Sequence, residues 1–109
     1  MIDESYVVFL ETLCNENRLR IIDLLRKCPL NVSQICNQLK MNQTTASHNL
    51  ARLEKCGFVK SLKEGKFTFY SINKKSIEPL MNLIESHLNN YCRKLCCTPK
   101  QELKILLRR

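Results

Sequence analysis

Residues Gln43–Val59 read QTTASHNLARLEKCGFV, and this stretch decides the predicted fold. Ala46, Leu50 and Leu53 recur at i, i+4 and i+7, which places them on one stripe of a helix. A helix that is apolar behind and polar in front fits the major groove of DNA, where its side chains pair with base edges and phosphates. An ordinary solvated face is the alternative. The polar side carries Gln43, Thr44, Thr45, Ser47, His48 and Arg52, with no acid among them.

A shorter helix is predicted just before this one. Asn31, with Gln34 three residues later, is a capping-box variant that opens a helix extending through Leu39. Asn42 is then the N-cap of the polar-faced helix. Two short helices separated by a few residues, the second bearing the polar face, indicate a helix-turn-helix over residues 32–55.

A β-hairpin is predicted directly after the polar-faced helix. Its strands lie near Phe58–Leu62 and Phe67–Ile72, where β-branched and aromatic residues are dense, and Gly65 supplies the turn. Lys63 and Lys66 fall at the tip, where they can contact phosphates beside the helix. A helix-turn-helix followed by a basic hairpin is a winged helix.

Two further helices are predicted on the N-terminal side. Residues 3–13 form an amphipathic helix, and Asn15 is a good N-cap for the next one. Their inward stripes are expected to comprise Val7, Leu10 and Leu13 in the first, and Leu19, Ile22 and Leu25 in the second.

A long helix is predicted over residues 76–97, after the hairpin. Its apolar residues step by 4, 3, 4, 3 and 4, which is a heptad seam suited to packing against a second copy of itself. A core helix lying on its own domain is the simpler alternative. A last short helix is predicted over about 99–107. The seam comprises Ile77, Met81, Ile84, Leu88, Tyr91 and Leu95.

The predicted fold class is mainly α with a β-hairpin wing, in the order α-α-α-α-β-β-α-α. The 109 residues are expected to form one winged helix-turn-helix domain, 1–109, with its wing at 58–72 and dimerisation through 3–13 and 76–97. Eighteen Lys and Arg against ten Asp and Glu give a net charge of +8, which favours a polyanionic partner. No apolar run approaches the ~20 residues of a membrane span, so a cytoplasmic protein with reduced cysteines is expected.

In these motifs the sequence resembles the ArsR/SmtB family of small dimeric winged-helix repressors. NENRLRIIDLL, at 15–25, is similar to the family's D-P-x-R-L-x-I-L-x-x-L. TTASHNLARLEKCGFV, at 44–59, is similar to x-x-V-S-x-H-L-x-x-L-x-x-A-G-L-V, except that the family's His is replaced by Asn49 and His48 precedes it. KEGKFTFYSIN, at 63–73, is similar to the family's wing, R-x-G-R-x-x-Y-Y-x-L.

The resemblance implies a homodimer that binds an imperfect palindrome in double-stranded operator DNA, with the polar-faced helix of each subunit in the major groove. Family members are usually repressors, released when a metal ion, metalloid or oxidant acts on thiols or imidazoles. By this resemblance, base or phosphate contacts are expected from Gln43, Thr44, Thr45, Ser47 and His48, and mainly phosphate contacts from Arg52, Lys63 and Lys66.

The effector sites known in the family are incomplete in this sequence. Arsenic-responsive members carry C-V-C-D-L-C at the third helix, whereas this chain keeps only Cys36. Zinc sensors place D-x-H and H-x-x-H/E along the dimer helix, but Glu78 and His87 have no partners at those spacings. Cys56 matches one cysteine of a cadmium- and lead-sensing pair, with Arg52 in the other position. A packing role is favoured for Cys14, Cys28, Cys36 and Cys56.

A denser thiol cluster occurs near the end of the long helix. Cys92 and Cys96 are one turn apart, Cys97 is adjacent, and Arg93 and Lys94 between them favour the thiolate form. Three thiolates suit a soft ion such as As(III) or Sb(III), or part of a Cd or Zn site. A reversible disulfide or persulfide switch, or simple packing, are the alternatives. No cofactor is expected to be required for the fold.

Two other classes of protein are weighed against a DNA-binding regulator. An enzyme would need a nucleophile with a nearby base, or a metal with an open position, and neither His48 nor His87 has an evident cysteine partner. A protein-interaction module that has lost DNA binding is disfavoured by the basic charge on the helix and wing. The protein is therefore predicted not to be an enzyme.

Overall fold

The computed structural model describes residues 2–92 of the 109-residue chain. The described residues divide into two compact units, with the boundary between Glu78 and Pro79. The described elements, in chain order, are α1 (Glu4–Leu13), α2 (Glu16–Leu25), β1 (Leu30–Asn31), α3 (Val32–Leu39), α4 (Gln43–Lys55), β2 (Val59–Glu64), β3 (Phe67–Ile72), α5 (Ile77–His87) and a π-helical segment, Leu88–Cys92.

The core of the first unit is built from the apolar stripes of α2, α3 and α4. The stripe predicted for α4 is confirmed, because Ala46, Leu50 and Leu53 are all fully buried. Burying a side chain of leucine size stabilises the fold by about 1.5–3 kcal/mol, so this stripe fixes which side of α4 faces outward. Other fully buried residues are Ile21, Ile22, Ile35 and Phe58.

The three predicted N-caps of the helical core are confirmed. Asn15 accepts from the backbone N–H of Arg18 at 3.0 Å, and Asn42 accepts from that of Thr45 at 2.7 Å. Asn31 and Gln34 form a reciprocal capping box with two contacts of 2.9 Å. Because each cap satisfies an orphan donor at the first turn, the three helices begin where the sequence indicates.

The turn between α3 and α4 contains a left-handed residue that is not a glycine, which the sequence pattern does not predict. Lys40 caps α3 in the left-handed region, with φ 55°. Arg20 Nη2 reaches across from α2 and donates to the carbonyl oxygen of Leu39 at 2.6 Å. This contact satisfies a carbonyl at the end of α3 and ties the helix-turn-helix to α2.

The wing is an antiparallel hairpin whose two strands pair from Val59 opposite Ile72 to Glu64 opposite Phe67. The predicted wing is confirmed, with its first strand shifted to begin at Val59 and end at Glu64. Among the described residues the sheet has three strands, in the order β1-β3-β2. The two-residue β1, Leu30–Asn31, is not predicted, because it forms only through its pairing with β3.

The apolar face of α1 is largely exposed in the part of the chain that the structure describes. Val7 is 51% exposed and Leu10 is 60% exposed, so of the predicted stripe only Leu13 is buried. Leu19 on α2 is likewise 39% exposed, because the buried stripe of that helix is centred on Ile21, Ile22, Leu24 and Leu25. The packing role predicted for Cys14 and Cys28 is wrong within the described chain, since both thiols are exposed.

In the second unit, α5 gives way to a π-helical segment at Leu88–Cys92, although a continuous α-helix was predicted over 76–97. In a π-helix each hydrogen bond spans five residues rather than four, so the apolar residues of this segment after Leu88 fall on a different side from the predicted heptad seam. Tyr91, a predicted seam residue, is 71% exposed. The ring of His87 lies against that of Tyr91, with centroids 4.9 Å apart and planes tilted by 41°. Leu95 and the short helix predicted at 99–107 lie outside the described residues.

Candidate nucleic-acid interface

The outward side of α4 is a surface of short polar side chains. Gln43, Thr44, Ser47 and His48 are exposed, and Thr45 is half-buried. The apolar residues on the opposite side are buried where α4 packs against α2 and α3. The structure therefore brings five of the six predicted α4 residues together on or beside one accessible surface.

Asn49, which occupies the position of the family's histidine, belongs to the interior instead. Its side chain is only 8% exposed, and its Nδ2 donates to the carbonyl oxygen of Thr45 at 2.9 Å. A buried amide needs such a partner, because an unpaired polar group in the core is destabilising. The neighbouring imidazole of His48 is thus the one that faces outward.

Arg52 does not lie with the exposed residues. Its side chain is half-buried, and its Nε donates to Oγ1 of Thr12 on α1 at 3.2 Å. The contact turns the guanidinium toward the junction of α1, α2 and α4. Arg52 is therefore placed at the flank of the outward surface rather than at its centre.

Two residues of the outward surface were missed in the sequence. Ala51 and Lys55 are both exposed and continue the steps of 4, 3 and 4 that start at Thr44 and His48. The spacing carries the signal, since residues one and two turns apart share a helix face. Lys55 adds a cation to the end of the surface.

The wing presents the two predicted lysines in the open. Lys63 and Lys66 are exposed, and Lys66 follows Gly65, whose φ is 58°. The base of the wing is fixed to α4, because Ser61 Oγ donates to Glu54 Oε2 at 2.5 Å. The carboxylate of Glu54, at the end of α4, thus accepts a hydrogen bond from the wing. Both lysines lie further along the wing, at its tip.

Only one thiol of the predicted C-terminal cluster falls within the described chain. Cys92 ends the π-helical segment and is half-buried, whereas Cys96 and Cys97 lie outside the described residues. Among residues 2–92, no three His, Cys, Asp or Glu side chains are grouped so as to hold a metal ion. The cluster therefore stays a prediction.

Cys56, at the end of α4, has a distinctive environment. Its Sγ lies 3.4 Å from Oγ1 of the buried Thr12. The hydrogen bond with Thr12, aided by Arg52 and by the charge of Arg18, lowers the pKa of the Cys56 thiol against the opposing effect of burial. The thiol is thus in contact with the same threonine that holds Arg52.

Within residues 2–92, none of the helices has the length and apolar character needed to cross a bilayer.

Comparison with known proteins identifies several transcriptional regulators as relatives. The family model described as "Bacterial regulatory protein, arsR family" matches residues 15–61, which include α2, the helix-turn-helix and the start of the wing. The chain is 33% identical over 82 residues to the transcriptional repressor PagR of Bacillus anthracis, covering 74% of this chain and 82% of that protein. It is 40% identical over 82 residues to the cadmium resistance transcriptional regulatory protein CadC of Listeria innocua, covering 74% of this chain. The match spans 66% of that relative's length, just under two thirds.

Solved structures agree with the sequence relatives. A homodimeric winged helix-turn-helix DNA-binding domain from Mycobacterium bovis, described as a possible ArsR-family transcriptional regulator, superposes with a TM-score of 0.75 at 31% identity, covering 81% of this chain and 82% of that one. Reduced HlyU from Vibrio cholerae gives a TM-score of 0.68 at 29% identity, covering 82% of this chain and 90% of that one.

Proposed function

Since the chain belongs to the ArsR family of DNA-binding transcriptional regulators, we propose that it is a homodimeric repressor that is released from its operator by a soft metal or metalloid. The observation that carries the DNA-binding part is the outward surface of α4. Its polar side chains are short, exposed and held in place by a fully buried stripe behind them. Such a helix can approach the floor of a major groove closely.

The proposed contacts divide by chemistry. Gln43, Thr44, Ser47 and His48 present amide, hydroxyl and imidazole groups for base edges, with Thr45 at the margin. Lys63 and Lys66 at the wing tip, together with Arg52 at the flank, supply charge for phosphates. Phosphate contacts position the protein and base contacts specify the sequence, so the helix and the wing have separable roles.

A homodimer is supported by the exposed apolar face of α1. Tyr6, Val7 and Leu10 are each more than half exposed. Exposed contiguous apolar surface of this kind typically marks an interface. The Mycobacterium bovis neighbour is homodimeric, and two α4 helices related by a two-fold axis would match the imperfect palindrome proposed for the operator.

The effector is proposed to bind thiolates of Cys92, Cys96 and Cys97. Support comes from the density of thiols in the sequence and from the relation to a cadmium resistance regulator at 40% identity. Thiolates select soft ions such as As(III), Sb(III) or Cd(II). Because the metal requires deprotonated sulfur, Arg93 and Lys94 between the cysteines favour its binding.

The test is fluorescence anisotropy of the reduced protein on duplex DNA from upstream of its own gene, titrated separately with arsenite and cadmium. We expect release near one equivalent per site, and loss of that release when Cys92, Cys96 and Cys97 are changed to Ser. The matched control changes the two exposed cysteines Cys14 and Cys28 to Ser, which should leave release intact. Tight binding unaffected by both ions would overturn the proposed effector but not the repressor.

A further inference from the structure

A cleft between the N-terminal end of α2 and the outer part of α4 is walled by positive charge. It encloses about 380 Å³, with Arg18 contributed by α2, and His48, Arg52 and Lys55 contributed by α4. No Asp or Glu is among the described residues that line it. The cleft is therefore positively charged, as a binding site for an anion must be.

Within the described part of the chain, no carboxylate forms a salt bridge with Arg18, Arg52 or Lys55. Nε of Arg18 is enclosed and has no hydrogen-bond partner among residues 2–92. Arg52 gives its Nε to the uncharged hydroxyl of Thr12. Enclosed polar groups in native proteins nearly always have a partner, so an unpaired guanidinium nitrogen beside two further cations points to an acceptor from outside the described residues.

The backbone at the mouth of the cleft adds to the same field. Asn15, the N-cap of α2, is one of the lining residues. The amides of a helix N-terminus carry partial positive charge and favour an oxyanion. Guanidinium, ammonium and helix-end amides together suit a tetrahedral phosphate group.

The position of the cleft beside α4 favours DNA as the source of that phosphate. On one flank of α4, Glu54 accepts from Ser61 at the base of the wing. Arg52, two residues earlier, lies about 160° away around the helix axis, on the opposite flank. The surface bearing Thr44 and His48 runs between these flanks, and His48 belongs both to that surface and to the cleft wall.

A helix in the major groove has one sugar–phosphate backbone on each side, and the wing occupies one side only. We propose that the cleft binds a backbone phosphate of the DNA strand on the side away from the wing. Arg18 is then a DNA contact from outside α4 and the wing, and Lys55, at the end of the outward surface, contacts the same phosphate. This assignment rests on the proposed DNA-binding function.

The test is a double cycle on duplex DNA from upstream of the protein's own gene, in which single phosphates are replaced in turn by uncharged methylphosphonate. In the unmodified protein, neutralising the bound phosphate should weaken binding. In Lys55→Gln, whose substituted side chain is exposed, the same replacement should weaken binding less, because only Arg18 and Arg52 still face that phosphate. The expected coupling is about threefold or more at one phosphate per half-site. The slope of log affinity against log salt should fall by about 0.9 for each phosphate that the variant no longer neutralises.

Lys27→Gln is the matched control, because it removes the same charge from a site just beyond the far end of α2, where Lys27 is exposed and Asp23 is a neighbour. It should show no coupling to any phosphate. Arg18→Gln should show its coupling at the same phosphate position as Lys55→Gln. If Arg18→Gln is unstable, the coupling measured for Lys55→Gln is sufficient to test the proposal.

Binding of the duplex without coupling at any phosphate would overturn the inference while leaving the proposed function standing. If inorganic phosphate then raised the melting temperature of the unmodified protein more than that of Lys55→Gln, the cleft would bind a free anion and not DNA. No binding of the unmodified protein to any duplex tested would instead overturn the proposed function itself.

Discussion

Nε of Arg52 on α4 lies 3.2 Å from Oγ1 of Thr12 on α1, so the proposed DNA-reading helix is tied to the helix with the exposed apolar face. Thr12 is fully buried, and its hydroxyl also donates to the carbonyl oxygen of Val8 at 2.7 Å. Thr12→Val keeps the shape and removes these hydrogen bonds. Because Arg52 is half-buried and can recover water, we expect a loss of about 1–2 kcal/mol in the free energy of unfolding, measured by urea denaturation.

Thr68→Val is the control for that substitution, since Thr68 is half-buried on β3, where valine is well accommodated. Its effect should stay within about 0.5 kcal/mol. Equal stability changes in the two variants would contradict a stabilising role for the contact between α1 and α4.

The same hydroxyl also contacts Cys56, and it stabilises the thiolate when its proton turns from the Val8 carbonyl to Sγ. Hydrogen bonding with Thr12, together with Arg52 and Arg18, lowers the pKa of the Cys56 thiol below its usual 9.0. Iodoacetamide labelling at Cys56, followed by mass spectrometry, should therefore have its midpoint below pH 9.0. Thr12→Val should move that midpoint upward. An unmoved midpoint would show that the hydroxyl keeps its proton on Val8 when the thiolate forms.

The lowered pKa also sets the sign of a pH effect on stability. Because the folded thiol ionises at lower pH than the unfolded one, its contribution is fully present above the unfolded pKa and is lost as pH falls through the folded pKa. Cys56→Ser should remove this component. Urea denaturation as a function of pH, comparing the variant with the unmodified protein, should show their stability difference growing as pH rises toward 9. A difference that stayed constant with pH would contradict the lowered pKa.

Neighbouring residues on α4 should behave in opposite ways. Asn49 is buried and bonded to the Thr45 carbonyl, whereas His48 is exposed. Asn49→Ala should lower the free energy of unfolding by about 1–3 kcal/mol and leave the affinity of the folded protein for DNA nearly unchanged. His48→Ala should lower the affinity for DNA and leave the free energy of unfolding nearly unchanged. Urea denaturation and anisotropy check the pair, and a larger loss of affinity in folded Asn49→Ala would contradict this placement.

The proposed dimer interface can be tested by a substitution on the exposed apolar face of α1. Leu10 is 60% exposed in the single chain, and Leu10→Glu would put a charge into the proposed apolar interface. We expect the dimer dissociation constant to rise about thirtyfold or more, as for an interface hot spot. Light scattering after size exclusion measures it. Leu62→Glu is the matched control, because Leu62 is 64% exposed on the wing. A dimer unaffected by Leu10→Glu would place the interface elsewhere.

Local signals in the sequence predicted the central part of the fold. The N-caps Asn15, Asn31 and Asn42 and the buried stripe of α4 depend on neighbours within one or two turns, and all are confirmed. Strand β1 and the hydrogen bond from Arg20 to Leu39 depend on residues distant in sequence, so no local pattern announces them.

The burial of individual side chains was harder to predict from periodicity. Val7 and Leu10 match a helical stripe equally well whether it faces the chain's own core or a second copy. The inward turn of Asn49 and the tie between Arg52 and Thr12 follow from how α4 packs on α1 and α2. Sequence spacing placed both residues on the helix, but it does not determine which side chains face outward, because that depends on packing against α1 and α2.

The most direct test of the central claim compares specificity with affinity. Anisotropy gives the dissociation constants for the upstream duplex and for a shuffled duplex, and their ratio is the specificity. Lys66→Ala on the wing should weaken both complexes alike and lower the salt slope by about 0.9 for each phosphate that the wing no longer neutralises, with the ratio unchanged. His48→Ala on α4 should lower the ratio, by about fivefold or more if the imidazole pairs with a base edge. A ratio changed by Lys66→Ala and untouched by His48→Ala would contradict the assignment of sequence reading to α4.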